Sequence, residues 1–114
     1  GGPFVVTNTN NNGDGSLRKA INDANNHEGT DEINFAIPGA GLKSITLTSA
    51  LPKITDAVTI NGANSSDSQR VELNGAGAGT NSSGLYISAG NVTVRNLVIN
   101  RFEGNGITVR GTSA

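Results

Sequence analysis

The sequence predicts an all-β fold, a parallel β-helix or solenoid, with one short capping α-helix near its N-terminus. Two observations lead to this prediction. After Gly29 the apolar residues recur with a period of two, in short segments bounded by Gly, Asn, Ser or Pro, which is typical of half-buried strands. The segment 106–109 also resembles the segment 84–87, and self-similarity of this kind indicates stacked coils.

Composition limits the classes of function. The chain has 114 residues, 16 of them Gly, with 15% charged residues and a net charge of −1. It has no basic stripe, so nucleic acid is not expected as a partner. No apolar run approaches the roughly 20 residues that span a bilayer, so no membrane insertion is expected. The absence of Cys excludes disulfides and thiolate metal sites and is compatible with an extracellular or cell-surface bacterial protein.

Residues 1–31 are predicted to form an N-terminal cap. Residues 4–7 form its strand, and a polar loop follows. An amphipathic helix is expected over about residues 16–27, with Ser16 as its N-cap and Gly29 as its C′ stop. The apolar stripe of this helix has helical spacing and comprises Leu17, Ala20, Ile21 and Ala24.

Residues 32–114 are predicted to form the coils. The alternating segments in this part are 32–36, 44–48, 57–61, 70–74, 85–87, 92–95, 97–100 and 107–109. Only Asn96 separates two of them, which is too short for a hairpin reversal. A corner at Asn96 is expected instead, because Asn readily adopts the left-handed backbone conformation.

The sequence resembles the N-terminal cap and first coils of large bacterial right-handed parallel β-helix proteins with the pectate-lyase-like fold. The resemblance lies in residues 4–9, 15–21, 24–25, 33–39, 45–52, 58–62 and 91–106. It implies a right-handed solenoid in a secreted or surface-anchored protein, and many proteins of this kind have adhesive or unknown roles.

A stack of parallel coils exposes unpaired backbone groups and aliphatic side chains at each end, so terminal coils need a cover. The helix 16–27 is expected to cover the first coil. The last residues, 111–114, are small and polar, and they predict no capping helix. The last coil is therefore expected to be exposed unless it stacks on another chain, as a dimer or a fibre.

No catalytic site, metal site or cofactor is predicted. The loop with Asn8, Asn10 and Asn12 superficially resembles a calcium loop, but Lys19 stands where an EF-hand has its bidentate Glu. Acidic residues do not recur at matching positions of successive coils, as paired-carboxylate catalysis would require. Three arginines could line one face of the solenoid, although a solvated surface explains them better: Arg95, Arg101 and Arg110.

The leading functional hypothesis is a non-enzymatic extracellular structural or adhesive module that self-associates through its last coil. Two alternatives remain. The chain could be the N-terminal part of a polysaccharide lyase or glycoside hydrolase, with catalytic coils beyond residue 114. It could also bind carbohydrate, with Tyr86 or Phe102 as the stacking platform for a glycan.

Overall fold

The computed structural model describes residues 3–110, which form nine short strands and one helix. This confirms the predicted strand-rich class with a single helix near the N-terminus. The helix α1 spans Leu17–Asn25. The strands are β1 (Pro3–Val6), β2 (Asp31–Phe35), β3 (Ser44–Thr46), β4 (Val58–Asn64), β5 (Val71–Asn74), β6 (Leu85–Ile87), β7 (Val92–Arg95), β8 (Leu97–Asn100) and β9 (Ile107–Val109). The predicted small, polar end at residues 111–114 lies outside the described residues.

The strands lie in three separate sheets, and within residues 3–110 every pairing between named strands is parallel. The first sheet has the order β1-β2-β4-β7, the second β3-β5-β8, and the third β6-β9. A parallel bridge between Ile54 and Ile87 adds the segment before β4 to the third sheet. Successive strands β4 to β9 therefore enter the first, second and third sheets in rotation.

The core consists of aliphatic side chains stacked in rows between the sheets. Ile60 pairs with Ile33 on one side and Val94 on the other, and Leu73 lies between Ile45 and Ile99. Because side chains alternate across a strand, a shift by one residue would turn each row outward. Burying one such side chain contributes about 1.5–3 kcal/mol, so the aliphatic rows fix the register of the parallel strands.

Helix α1 begins as predicted. The Ser16 hydroxyl accepts a hydrogen bond from the Lys19 amide at 3.2 Å, which satisfies one of the unpaired amides of the first turn. The predicted apolar stripe is buried, and the helix packs against β1 and β2. The stripe therefore faces the first sheet.

The predicted C-terminal end of the helix is wrong. Helix α1 ends at Asn25, and Asn26 caps it by donating its backbone N–H to the carbonyl oxygens of Asn22 and Asp23, both at 3.2 Å. The His27 amide then donates to Ala24 O at 3.2 Å, which tightens the last turn. Gly29 does have a positive φ, +92°, but it lies in the loop before β2 rather than at C′.

Strands β3 and β4 also end at residues other than those that the alternating pattern predicts. Strand β3 ends at Thr46 rather than Thr48, and the Thr48 amide donates to the Asn11 side-chain oxygen at 2.9 Å. Strand β4 continues to Asn64, since a register shift pairs Phe35 with Asn64. In both cases a contact distant in sequence decides where the strand ends.

The predicted corner at Asn96 is confirmed. Asn96 has a φ of 60° and connects β7 in the first sheet to β8 in the second. Its Nδ2 donates to Asn61 Oδ1 at 2.9 Å. The corner is thus tied to the adjacent strand β4, and the chain changes sheet without reversing into a hairpin.

Candidate functional site: a cleft on the outer face of the third sheet

A cleft of about 470 Å³ lies on the outer face of the third sheet. Its volume is within the roughly 300–1,000 Å³ typical of ligand pockets. We name it the Tyr86 cleft. It is lined by Ala50, Leu51, Lys53, Asn81, Ser82, Ser83, Tyr86, Gly104, Asn105, Thr108 and Arg110.

The register of the third sheet places the floor of the cleft. Tyr86 in β6 pairs with Thr108 in β9. The bridge from Ile54 to Ile87 sets Lys53, one residue earlier, beside Tyr86. Side chains alternate along a strand, so the isoleucines are buried in the core while their neighbours face outward. The Lys53 ammonium lies 4.9 Å from the centroid of the Tyr86 ring, a cation–π contact that orients both side chains.

A polar wall closes one side of the cleft. The hydroxyls of Ser83 and Thr108 are hydrogen-bonded at 2.7 Å, and Gly104 N donates to Ser82 O at 2.9 Å. A Cβ on Gly104 would lie 2.9 Å from the carbonyl oxygens of Asn81 and Ser82. Only Gly allows this close approach, which joins the segment before β6 to the segment before β9.

The cleft carries positive charge. Among residues 3–110 its lining contains Lys53 and Arg110 but no carboxylate. Both residues are exposed, and neither forms a salt bridge with an acidic residue of that range. The backbone of Arg110 is fixed, because its amide donates to Ile87 O at 2.8 Å. In the part of the chain that the structure describes, two cations without acidic partners thus face one cleft.

The two aromatic residues predicted as glycan contacts lie in different surroundings. Tyr86 is half-buried and lines the cleft, whereas Phe102 lies outside the lining. The Phe102 ring packs over Gly75, where a Cβ would lie 2.3 Å from its Cδ1. Phe102 also packs against the core. The structure therefore places Tyr86, and not Phe102, in the lining of the cleft.

The three arginines considered as one face do not form one. Arg95 ends β7 in the first sheet, Arg101 follows β8 in the second, and Arg110 follows β9 in the third. The single face is wrong because the three strands belong to three different sheets. The solvated surface that the sequence favours is confirmed, since all three arginines are exposed. Lys53 was missed because the segment around Ile54 is too short to show an alternating pattern.

The other predicted motifs have local roles. Asn8 Oδ1 accepts from the Asn10 amide at 3.0 Å, and Asn8 Nδ2 donates to Asp14 O at 2.9 Å, so Asn8 holds the loop before the helix. Among the described residues no group of three or more His, Asp or Glu side chains is placed to hold a metal ion. Residues 3–110 likewise contain no helix with the length and apolarity needed to cross a bilayer.

A second surface is the end formed by the three last strands, the β7–β9 edge, because each sheet finishes with one of them. Ile107 is 43% exposed and Val109 is 69% exposed. The side chains that continue the aliphatic rows of β7 and β8 are only partly buried: Val92, Val94, Leu97 and Ile99. Strand edges with bare aliphatic residues are templates for further strand pairing.

Comparison with known proteins assigns neither surface. No family model matches the sequence, and no curated protein or solved structure matches the chain. The chemistry of the Tyr86 cleft and of the β7–β9 edge is therefore the basis for a function.

Proposed function

We propose that the chain is a non-enzymatic, extracellular or cell-surface structural module built as a right-handed parallel β-helix. In this proposal residues 1–31 are the cap, residues 32–114 are the coils, and the module resembles the first part of bacterial adhesive β-helix proteins. The observation that carries it is the rotation of strands β4 to β9 through three parallel sheets. Each coil then buries the coil before it, which is the principle of repeat architectures.

The hydrogen bonds around α1 support its role as a cap. Arg18 on the helix donates to the carbonyl oxygens of Ala50 at 2.6 Å and Ser49 at 3.0 Å. Asn25 at the helix end donates to Lys53 O at 2.7 Å and accepts from Thr55 N at 2.9 Å. The helix is thus fastened to the chain segment that leads into the third sheet, and its apolar stripe stays on the core.

The β7–β9 edge is the assembly surface of this proposal, and its occupant is a second copy of the chain. The edge offers three strands with aliphatic side chains between them, and the same edge of a second copy supplies a matching set. The opposite end is covered by α1, which packs on β1 and β2, so head-to-tail fibres are disfavoured. Two copies that meet through this same edge form a closed two-fold dimer.

The oligomeric state tests the assembly. We expect light scattering to show a concentration-dependent dimer for the wild-type chain and a monomer for Val109→Lys, because a Lys on a strand edge opposes pairing. The matched control is Val5→Lys, an exposed substitution on β1 at the capped end, which should leave the dimer intact. A wild-type monomer at all concentrations, or a dimer that Val109→Lys leaves unchanged, contradicts the assembly.

An enzymatic role is tested separately. Lyases and hydrolases of polysaccharides need carboxylates or a base placed at the substrate, and the described residues that line the Tyr86 cleft include no carboxylate. We expect no release of reducing or unsaturated ends from polyuronates with added Ca²⁺. Release of such ends would replace the structural proposal with the catalytic one.

Carbohydrate binding at the Tyr86 cleft is a second candidate function. Its support is the half-buried Tyr86 ring beside exposed amide groups, a combination of apolar surface and polar groups that suits ligand binding. Binding on a glycan array that Tyr86→Ala abolishes would support it. An array on which no glycan binds the chain would rule out carbohydrate binding and would leave the structural proposal unaffected.

A further inference from the structure

We propose that the Tyr86 cleft binds an acidic oligosaccharide, whose carboxylate or sulfate is held by Lys53 and Arg110 while a sugar ring packs at Tyr86. This inference rests on carbohydrate binding as a candidate function and names the ligand class for that cleft. It does not depend on the dimer or on the handedness of the coils.

Positive charge distinguishes the cleft from the chain as a whole. The chain has a net charge of −1, yet the lining that residues 3–110 give this cleft contains two cations and no acid. A carboxylate or sulfate placed between the two cations would supply the missing negative charge. Charge-assisted hydrogen bonds of this kind are roughly twice as strong as neutral ones.

Contacts within the third sheet fix the placement of both cations. Lys53 is oriented by the Tyr86 ring at 4.9 Å, and Arg110 is anchored by its amide on Ile87 O at 2.8 Å. The planar guanidinium of Arg110 can bind a carboxylate or a sulfate through two parallel N–H groups, which an ammonium cannot do. The cleft thus combines the compact ammonium group of Lys53 with the planar guanidinium of Arg110 on one face of the third sheet.

The neutral groups of the lining indicate a polyhydroxylated ligand. Asn81 and Asn105 are exposed, and the Asn105 amide donates to Thr108 Oγ1 at 3.3 Å, which leaves its carbonyl oxygen as an acceptor at the rim. Tyr86 adds an apolar ring with a hydroxyl at its tip. Hydroxyls of a sugar fit this alternation of amides and hydroxyls better than a purely apolar ligand does.

The experiment compares four ligands by fluorescence polarisation: a uronic acid oligosaccharide, its carboxyl-reduced neutral counterpart, a sulfated oligosaccharide of equal length, and single-stranded DNA. We expect the charged saccharides to bind and the neutral one to bind weakly or not at all. The ratio between the carboxylated and the sulfated ligand identifies which anion the cleft prefers. Added salt should weaken binding of both, because the contacts are ionic.

Variants assign the binding to the cleft. Lys53→Met keeps the aliphatic stem, and Arg110→Gln keeps polarity. Each should lower affinity for the charged saccharide on the order of tenfold. Arg95→Gln removes an exposed Arg from the first sheet and is the matched control, which should bind as the wild type does. Circular dichroism of each variant verifies that the strands are retained.

Each outcome has one meaning. If no saccharide binds, carbohydrate binding and the acidic ligand both fail. If the neutral saccharide binds as well as the acidic one and Lys53→Met has no effect, carbohydrate binding stands and the acidic ligand is overturned. Tighter binding of single-stranded DNA than of either charged saccharide also overturns it.

Discussion

The side-chain amide of Asn64 binds both backbone polar groups of Ile37. Its Oδ1 accepts from Ile37 N at 2.7 Å, and its Nδ2 donates to Ile37 O at 2.8 Å. Both residues are buried, so the amide replaces the strand neighbour that Ile37 lacks beyond the end of β2. Asn64 also begins an Asn-Ser-Ser triplet, but its burial removes it from any glycosylating enzyme in the folded chain.

Replacing Asn64 with Ala leaves the N–H and C=O of Ile37 without these partners. An unmade hydrogen bond of a buried group costs about 1–3 kcal/mol, so we expect Asn64→Ala to lower the free energy of unfolding by about 2–4 kcal/mol. The adjacent Ser65→Ala, at an exposed side chain, should change it by less than about 0.5 kcal/mol. Urea unfolding measures the free energy of unfolding of both variants. Equal values for the two would show that the hydrogen bonds between the Asn64 amide and Ile37 are unimportant for stability.

Arg18 fastens the helix through geometry that Lys cannot reproduce. Its guanidinium reaches Asn11 O at 2.9 Å, Ala50 O at 2.6 Å and Ser49 O at 3.0 Å. We expect Arg18→Lys to lower the free energy of unfolding by about 1–2 kcal/mol, because a single ammonium cannot span these acceptors. Lys19→Ala, which removes an exposed ion pair with Asp23, should cost less than about 0.5 kcal/mol. A larger loss in Lys19→Ala would contradict the assignment.

Gly62 in β4 lies directly under the corner between β7 and β8. A Cβ at this position would meet Asn96 O at 2.3 Å and Leu97 Cδ2 at 2.5 Å. We expect Gly62→Ala to destabilise the chain by about 1–3 kcal/mol, as overpacking does. Gly90, where an added Cβ meets nothing within 4 Å, provides the control. Thermal unfolding should separate the two variants, and a neutral Gly62→Ala would mean that the corner lies farther from β4.

Glu72 connects the strands of the second sheet. Hydrogen bonds from Ser44 Oγ at 2.6 Å and from Asn100 Nδ2 at 2.8 Å lower the pKa of the Glu72 carboxyl, and Arg101 contributes in the same direction. Since the folded-state pKa lies below the unfolded value, this stabilisation exists above the unfolded pKa and is lost as the pH falls through the folded pKa.

We therefore expect Glu72→Gln to be less stable than the wild type at neutral pH, with the difference shrinking on acidification. Thermal unfolding measured across the acidic range tests this. The exposed Glu103→Gln makes the same change of charge without these hydrogen bonds and is the control. A difference that stays constant down to the lowest pH would contradict a role for the charged carboxylate.

Local patterns in the sequence predict the helix and the strands. They do not predict which strands, distant in sequence, pair with each other. The alternation around Val58 and Ile60 and the single linker Asn96 identify strands and a corner, because side-chain period and left-handed propensity are properties of neighbouring residues. The same holds for Ser16 as the N-cap. The end of α1 was misplaced because Asn26, and not Gly29, satisfies the last carbonyl groups.

The cleft could be predicted only in part for the same reason. The sequence indicates Tyr86 only as one of two aromatic residues that could stack on a glycan, the other being Phe102. Lys53 and Arg110 join it through the bridge from Ile54 to Ile87 and the pairing of β6 with β9, and the sequence pattern does not specify which distant segments share a register. Contacts such as Arg18 with Ala50 are missed for the same reason.

Parallel pairing of β4 with β7 is the central claim, and a disulfide tests it directly. Thr59 and Thr93 are register partners, adjacent parallel strands lie about 4.8 Å apart, and disulfides join Cα atoms about 4.4–6.8 Å apart. The chain has no native Cys, so the double variant Thr59→Cys/Thr93→Cys should oxidise to a single intramolecular disulfide and remain folded. Thr93→Cys/Ile99→Cys, which would face each other if the chain reversed at Asn96, should stay reduced. Rapid oxidation of the second pair with none in the first would contradict the parallel arrangement.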